Sequence, residues 1–249
     1  MLPHLTGAQW VLAVLAAVGI GLSKSGLSGL SFFHVLVFAF IFGPRDSTGI
    51  VLPMLLIGDI SAVRTFRAHT DWSHVRRMLP ATCLGVVVAA ITMSRMTNAS
   101  FGPLIGWVIL VLTALQAFFT WQPQRLGNVP HAPAFAWTVG LLAGAATMFA
   151  NAAGPIFALY GLAMSLLKFT FVGTSAWFFL IVNAFKLPFS AWLGLIHGSS
   201  LLLNLMLAPA VVGGLLAGQW ITRRLPQRLF NILLLALAGV AALRLIGAF

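Results

Sequence analysis

Charge, and acidic charge above all, is what this sequence has little of. Only 7% of its 249 residues are charged, and only three residues are acidic. A soluble domain of ordinary composition is about 25% charged, because its surface faces water. Charge this sparse cannot cover a water-facing surface of this size. A soluble globular protein is therefore excluded, and lipid is the expected solvent for most of the surface.

Cysteine and catalytic motifs are scarce as well. A single cysteine, Cys83, excludes an internal disulfide and a thiolate metal cluster. The sequence shows no metal-ligand spacing, no nucleotide-binding loop and no nucleophile–base pair. We therefore predict that the chain is not an enzyme and uses no cofactor and no metal. ATP-driven transport by this chain alone is unsupported.

Hydrophobic residues, by contrast, make up 60% of the chain, and the mean hydropathy is +1.03. The apolar runs are long and continuous instead of alternating, which favours membrane-spanning helices over a barrel. The sequence predicts an all-α, polytopic transmembrane helical bundle. Ten segments are expected, at about 10–22, 30–43, 47–63, 78–94, 101–121, 134–150, 155–167, 169–187, 199–222 and 229–248.

Two pairs of these segments are short, and each pair is divided by a break rich in small residues. The breaks are Ser23–Gly29 and Asn151–Pro155. They fall at matching places in two halves of the chain, with an offset that drifts from about 121 to 129 residues. We predict a first repeat at 1–121, a cytoplasmic linker at 122–133 and a second repeat at 134–249.

Each repeat has about five segments, and an odd number requires the second repeat to enter the membrane from the opposite side. The sequence therefore predicts two inverted repeats whose paired broken or re-entrant helices meet near the midplane.

Basic residues outnumber acidic ones by 14 to 3, for a net charge of +11. They stand at the ends of apolar runs and not in a polar domain, which excludes nucleic-acid binding. Most lie on the side reached after the third segment: Arg64, Arg67, Arg76, Arg77, Arg125, Lys168, Arg223, Arg224 and Arg228. The positive-inside rule makes this side cytoplasmic and places both termini outside.

The two breaks predict a pocket for a small, oxygen-rich anion. Helix N-termini at a break present free N–H groups and the positive end of a dipole. Lys24 adds a positive charge in the first break, and Asn151 adds an amide in the second. Glycines would let the backbone approach a ligand. The predicted substrate-binding residues are Lys24, Ser25, Gly26, Asn151, Ala152, Gly154, Asn183 and Lys186.

Each of these residues also has a plainer interpretation. Lys24 would snorkel to an interface if the first pair of segments crosses fully, and Lys186 would snorkel to the outer surface. Asn151 would be a helix cap. Asp59, a carboxylate inside the third segment, is a candidate for proton coupling. It would otherwise form a structural ion pair, with Arg64 or Lys186. His34 and His197 are isolated, which indicates packing or interface roles.

The order of these motifs resembles the TauE/SafE family of sulfite and sulfonate exporters over nearly the whole chain. The similarity begins with Gly21–Gly29, continues through Leu52–Asp59 and Phe66–Trp72, and returns at Ala150–Pro155 and Phe171–Phe179. Two features depart from that pattern: Ser25 stands where a second glycine is usual, and a proline near His34 is missing.

The resemblance implies secondary export of sulfite or a small organosulfonate from a bacterial cytoplasm, through the inner membrane, by alternating access. The expected partners are the anion, membrane lipids and a second copy of the chain in a homodimer. Three alternatives remain open at this point. They are a transporter of another small anion such as thiosulfate, a channel, and a non-transporting membrane subunit.

Overall fold

The structure is a computed structural model that describes residues 5–27, 30–121 and 133–222. In this part of the chain the protein is all-helical, with nine α-helices and no strand. The helices are α1 (Gly7–Lys24), α2 (Ser31–Phe42), α3 (Pro44–Phe66), α4 (Trp72–Ser94), α5 (Asn98–Trp121), α6 (Pro133–Ala150), α7 (Ala153–Ala163), α8 (Lys168–Trp192) and α9 (Gly198–Thr222).

Six of these helices are long and apolar enough to cross a bilayer, namely α1, α3, α4, α6, α8 and α9. The predicted polytopic helical bundle is therefore confirmed. The predicted tenth segment at 229–248, the residues 122–132 of the linker and the basic residues beyond 222 lie outside the described residues.

The breaks lie where the sequence predicts them, but their edges differ. Lys24 is the last residue of α1 instead of lying in the break, because the apolar run continues helically up to it. Gly154 and Pro155 belong to the first turn of α7, where a proline is tolerated because its missing N–H has no helical partner. Positive φ angles mark both breaks, 104° at Gly26 and 52° at Asn151.

Each broken pair folds back as a hairpin. The open end of the α1–α2 hairpin, where α1 begins and α2 ends, lies beside the start of α3. Only Gly43 separates the end of α2 from α3. The open end of the α6–α7 hairpin, where α6 begins and α7 ends, lies beside the start of α4. The Tyr160 hydroxyl near the end of α7 lies 2.8 Å from Nδ1 of His74 on α4. Phe135 near the start of α6 stacks on the Tyr160 ring. The two hairpins thus enter the bundle from opposite ends of α3.

Close helix crossings connect the two halves of the chain. α1 packs along α9, and α4 packs along α6. A Cβ on Gly21 of α1 would strike the Val211 carbonyl of α9, and a Cβ on Gly144 of α6 would strike the Thr82 carbonyl of α4. The facing helices also have glycines at these crossings: Gly214 of α9 lies against the backbone of Val18 of α1, and Gly85 of α4 lies against the backbone of Leu141 of α6. Gly144 follows Gly21 by 123 positions, within the range of the sequence offset.

Asp71 directly precedes α4 and caps its N-terminus. Its carboxylate accepts hydrogen bonds from the backbone N–H of Ser73 (2.9 Å) and from the Ser73 hydroxyl (2.6 Å). These bonds hold the pKa of the Asp71 carboxyl below its ordinary value. Because the folded-state pKa is depressed, the stabilisation is present above the ordinary pKa and is lost as the pH falls through the folded-state pKa.

We expect Asp71→Ala to lower the free energy of unfolding by about 1 kcal/mol at neutral pH, and by less in acid. Thermal unfolding of the purified protein in detergent at the two pH values measures this. Asp71→Asn is the matched control, since asparagine caps a helix without titrating. A cost of Asp71→Ala that is equal at both pH values would contradict the assignment.

Candidate anion site

The last turn of α1 places a lysine against a buried carboxylate. The ammonium Nζ of Lys24 lies 2.6 Å from Oδ1 of Asp59 on α3, and Asp59 is fully buried. The ammonium also lies 4.7 Å from the centre of the Phe179 ring on α8. Gly58 leaves room for the lysine stem, since a Cβ there would come within 3.3 Å of Cγ of Lys24. A positive charge at this helix end also complements the dipole of α1.

The ion-pair partner of Asp59 differs from the two that the sequence suggests. Arg64 stands five residues later on α3, which turns it to another face of the helix, and its side chain is exposed. Lys186 donates its hydrogen bonds to Thr147 and Asn151 instead, as described below. Lys24 pairs with Asp59 because the break brings the end of α1 to the middle of the bundle, and sequence separation does not show this.

A hydrogen bond joins Asp59 to α8, in the other half of the chain. Nδ2 of Asn183 donates to Oδ2 of Asp59 at 2.7 Å. A carboxylate only accepts, so this contact fixes the orientation of the amide and turns Oδ1 of Asn183 away from Asp59. Asn183 and Asp59 occupy matching positions in the two halves, 124 residues apart.

The second break is held by the other buried lysine, Lys186. Its Nζ donates to Oδ1 of Asn151 (2.6 Å), to the Thr147 carbonyl (2.8 Å) and to the Thr147 hydroxyl (3.1 Å). Three acceptors match the three N–H groups of an ammonium. Nδ2 of Asn151 donates in turn to the Thr48 carbonyl at 2.9 Å. The snorkelling interpretation of Lys186 is therefore wrong, because the side chain is 1% exposed.

Asn151 follows the last residue of α6 with a left-handed backbone, so it ends that helix. It does not cap the next helix, because Ala152 precedes α7 and no side chain caps that helix. Both ends of its amide are occupied by protein groups.

Both breaks line one cavity of about 40 Å³. A single water molecule needs about 10–15 Å³ by this measure, so the cavity has room for a few waters or one compact anion. The ends of α1 and α6 and the beginnings of α2 and α7 meet here. The first N–H groups of α2 and α7 have no acceptor within their own helices. Polar side chains in the lining come from Ser23, Lys24, Ser31, His34, Thr147, Asn151, Ser175 and Asn183.

The structure brings together most of the predicted site residues, but not all of them. Gly26 and Gly154 line the cavity with Lys24, Asn151 and Asn183. Lys186 lies behind it, against Asn151.

Ala152 and Ser25, like Lys186, lie outside this lining. Ala152 is buried within the second break. Ser25 donates to the Leu22 carbonyl at 2.7 Å and packs against Gly218 of α9. It borders a second cavity, of about 150 Å³, between the ends of α1 and α3 and the start of α8. Ser25 faces away because the last helical turn of α1 directs adjacent side chains to different sides.

Sequence reasoning missed several lining residues. Thr147 stands four residues before Asn151 and therefore shares its helix face, a spacing that identifies it in retrospect. His34, interpreted as a packing residue, lines the cavity at 1% exposure. Phe179, one turn before Asn183 on α8, forms an apolar wall.

Among the described residues, no three His, Cys, Asp or Glu side chains are grouped as metal ligands. The ionic groups around the cavity are two lysines and one aspartate, an arrangement that suits an anion.

Comparison with known proteins gives one result that covers most of the chain. No curated protein and no solved structure matches it. A family model described as "Sulfite exporter TauE/SafE" matches residues 12–245. This match spans both breaks, all nine helices in whole or in part, and every residue of the cavity. The chain therefore belongs to the TauE/SafE family of sulfite exporters, a family of membrane transporters.

Proposed function

We propose that the protein is a secondary transporter that exports a small sulfur oxyanion, sulfite or a small organosulfonate, by alternating access. The observation that carries this proposal is the shared cavity at the two breaks, with Lys24 at its wall. Such anions are compact and carry several acceptor oxygens, which match the donors that converge there.

The cavity supplies those donors from three sources. The ammonium of Lys24 has three N–H groups, and Asp59 is bonded to one of them. The N-termini of α2 and α7 add backbone N–H groups and the positive ends of two dipoles. Because these helices are 12 and 11 residues long, both are long enough to have a substantial dipole. An anion entering the cavity would replace water without leaving these donors unpaired.

Alternating access follows from the inverted repeats that the sequence predicts. Support comes from the hairpins, which enter from opposite ends of α3, and from the glycine crossings, which recur at the repeat offset. Rocking of one repeat against the other would open the cavity first to one side and then to the other. The second cavity lies across the last turn of α1 from the first, at the end of the bundle where the sequence predicts the cytoplasm.

The direction of transport and its driving force follow from the orientation in the membrane that the sequence predicts. With the basic loops inside and both termini outside, in a bacterial inner membrane, the membrane potential favours exit of an anion. A potential of about 100 mV contributes roughly 2.3 kcal/mol per charge. Asp59 is the candidate for proton coupling, since its protonation would release Lys24 from the ion pair.

Counterflow in proteoliposomes tests the proposal. Vesicles loaded with unlabelled sulfite are expected to accumulate labelled sulfite transiently, with a rate that saturates with concentration. A channel would give no transient accumulation, and a non-transporting subunit would give no flux. Either result would refute the transporter proposal. Thiosulfate and methanesulfonate as competitors then rank the alternative anions.

A further inference from the structure

His34, on the first turn of α2, is buried in the cavity wall without a partner. The side chain is 1% exposed, and neither ring nitrogen has a hydrogen-bond partner among the described residues. Buried polar groups are almost always satisfied, so an unpartnered imidazole at a cavity indicates a group that bonds a ligand or water.

A neutral imidazole has one N–H donor and one nitrogen whose lone pair accepts. In either tautomer His34 therefore offers an acceptor that no other group of the described residues uses. It brings this acceptor to a cavity whose other groups are mainly donors.

Asn183 presents a second acceptor to the same cavity. Its Nδ2 is bonded to Asp59, and its Oδ1 is buried with no hydrogen-bond partner among the described residues. The residue is 2% exposed and lines the cavity. A carbonyl oxygen of this kind repels a fully ionised oxyanion, which has acceptors alone. It requires a hydrogen-bond donor from the ligand or from water.

The ionic groups around the cavity indicate the charge of the ligand. Two lysines and one aspartate surround the cavity, so these groups leave at most one positive charge uncompensated. A singly charged anion is therefore the most that this site can neutralise, whereas a doubly charged one leaves an excess negative charge in a buried place.

From these observations we propose that the cavity binds a singly charged oxyanion that carries one O–H hydrogen, the class to which hydrogen sulfite belongs, and that His34 accepts the hydrogen bond from this O–H. His34 is then the specificity-determining residue of the site. The assignment rests on the proposed function, because it needs the cavity to be the anion site. The small volume of the cavity favours this compact class over a sulfonate with an alkyl chain.

A ligand panel tests the class on the wild-type protein. Isothermal titration calorimetry in nanodiscs is run at a mildly acidic pH, at which sulfite is mainly hydrogen sulfite. Methanesulfonate has the same charge and similar size but no hydrogen-bond donor. We expect hydrogen sulfite to bind about tenfold more tightly than methanesulfonate, the effect of one additional hydrogen bond, and sulfate to bind more weakly than both. Equal affinities for hydrogen sulfite and methanesulfonate would overturn the inference.

Substitution tests the role of His34. His34→Leu is expected to weaken hydrogen sulfite about tenfold and methanesulfonate less than about twofold. His34→Gln, which keeps an acceptor, should retain most of the preference. His197→Leu is the control, since this histidine is exposed between α8 and α9. If His34→Leu lowered the affinity for both anions equally, His34 would not be the residue that recognises the O–H group.

The outcomes also separate this inference from the function on which it rests. Binding of both anions with equal affinity leaves the anion site in place and removes only the selectivity for an O–H donor. Absence of binding by any anion to the wild-type protein overturns both. If His34→Leu fails to fold, the wild-type panel and His34→Gln still decide.

Discussion

Lys24→Ala is expected to reduce the initial rate of labelled sulfite flux in proteoliposomes about a hundredfold. The ammonium of Lys24 lines the cavity and lies 2.6 Å from the buried carboxylate of Asp59. Truncating one member of such a pair costs about 2–5 kcal/mol, and 2.7 kcal/mol corresponds to a hundredfold change. The loss has two parts, because the substrate loses its cation and Asp59 becomes an uncompensated negative charge in the wall.

A double variant separates these two parts. Lys24→Ala combined with Asp59→Asn removes both charges, so it is expected to unfold at a higher temperature than Lys24→Ala alone while still failing to transport. Arg64→Ala, on the exposed face of α3, controls for loss of a basic residue. If the double variant regained wild-type flux, Lys24 would be only the partner of Asp59 and not part of the anion site.

Lys186→Met is expected to produce the largest loss of stability of any single change considered. It removes the donor to three buried acceptors, Oδ1 of Asn151 and the carbonyl and hydroxyl oxygens of Thr147. The Thr147 carbonyl keeps its bond from the backbone N–H of Asn151, so the other two acceptors are the ones that lose their donor. Each unsatisfied acceptor costs about 1–3 kcal/mol. These bonds join α8 to the end of α6, so their loss is expected to displace the second break. We therefore also expect a lower rate of sulfite flux. Thermal inactivation in detergent and proteoliposome flux measure the two effects.

Lys186→Gln is the matched variant, since its amide keeps a donor of nearly the same reach. It should recover part of the stability that Lys186→Met loses. A wild-type melting temperature for Lys186→Met, together with impaired sulfite binding, would contradict the structural role. It would indicate that Lys186 binds the substrate directly.

The sequence predicts the framework of this fold well, for identifiable physical reasons. Long apolar runs permit only helices in lipid, and small residues mark where those helices stop. The structure shows glycines at the offset between the halves, at Gly21 and Gly144, where close helix crossings tolerate no side chain. The edges of the breaks are less predictable, since helical hydrogen bonds continue through Lys24 and resume before Gly154.

The site is only partly predictable from sequence. Lys24 stands out because a charge beside a break in an apolar segment is costly unless it is used. The contacts of Lys186 with Thr147 and Asn151 cross 39 and 35 residues and depend on where α6 ends. His34 gives no signal, because α2 is apolar on all sides and its sequence does not identify an inner face.

The most direct test of the central claim, that the two breaks form one anion site, is an experimental structure with selenite, a heavier analogue of sulfite. Anomalous scattering from selenium would locate the anion without ambiguity from water. We expect a single selenium peak within the cavity, with its oxygens in hydrogen-bonding distance of Nζ of Lys24 and close to His34 and Asn183. A selenium peak elsewhere, or an empty cavity at saturating selenite, would contradict the account.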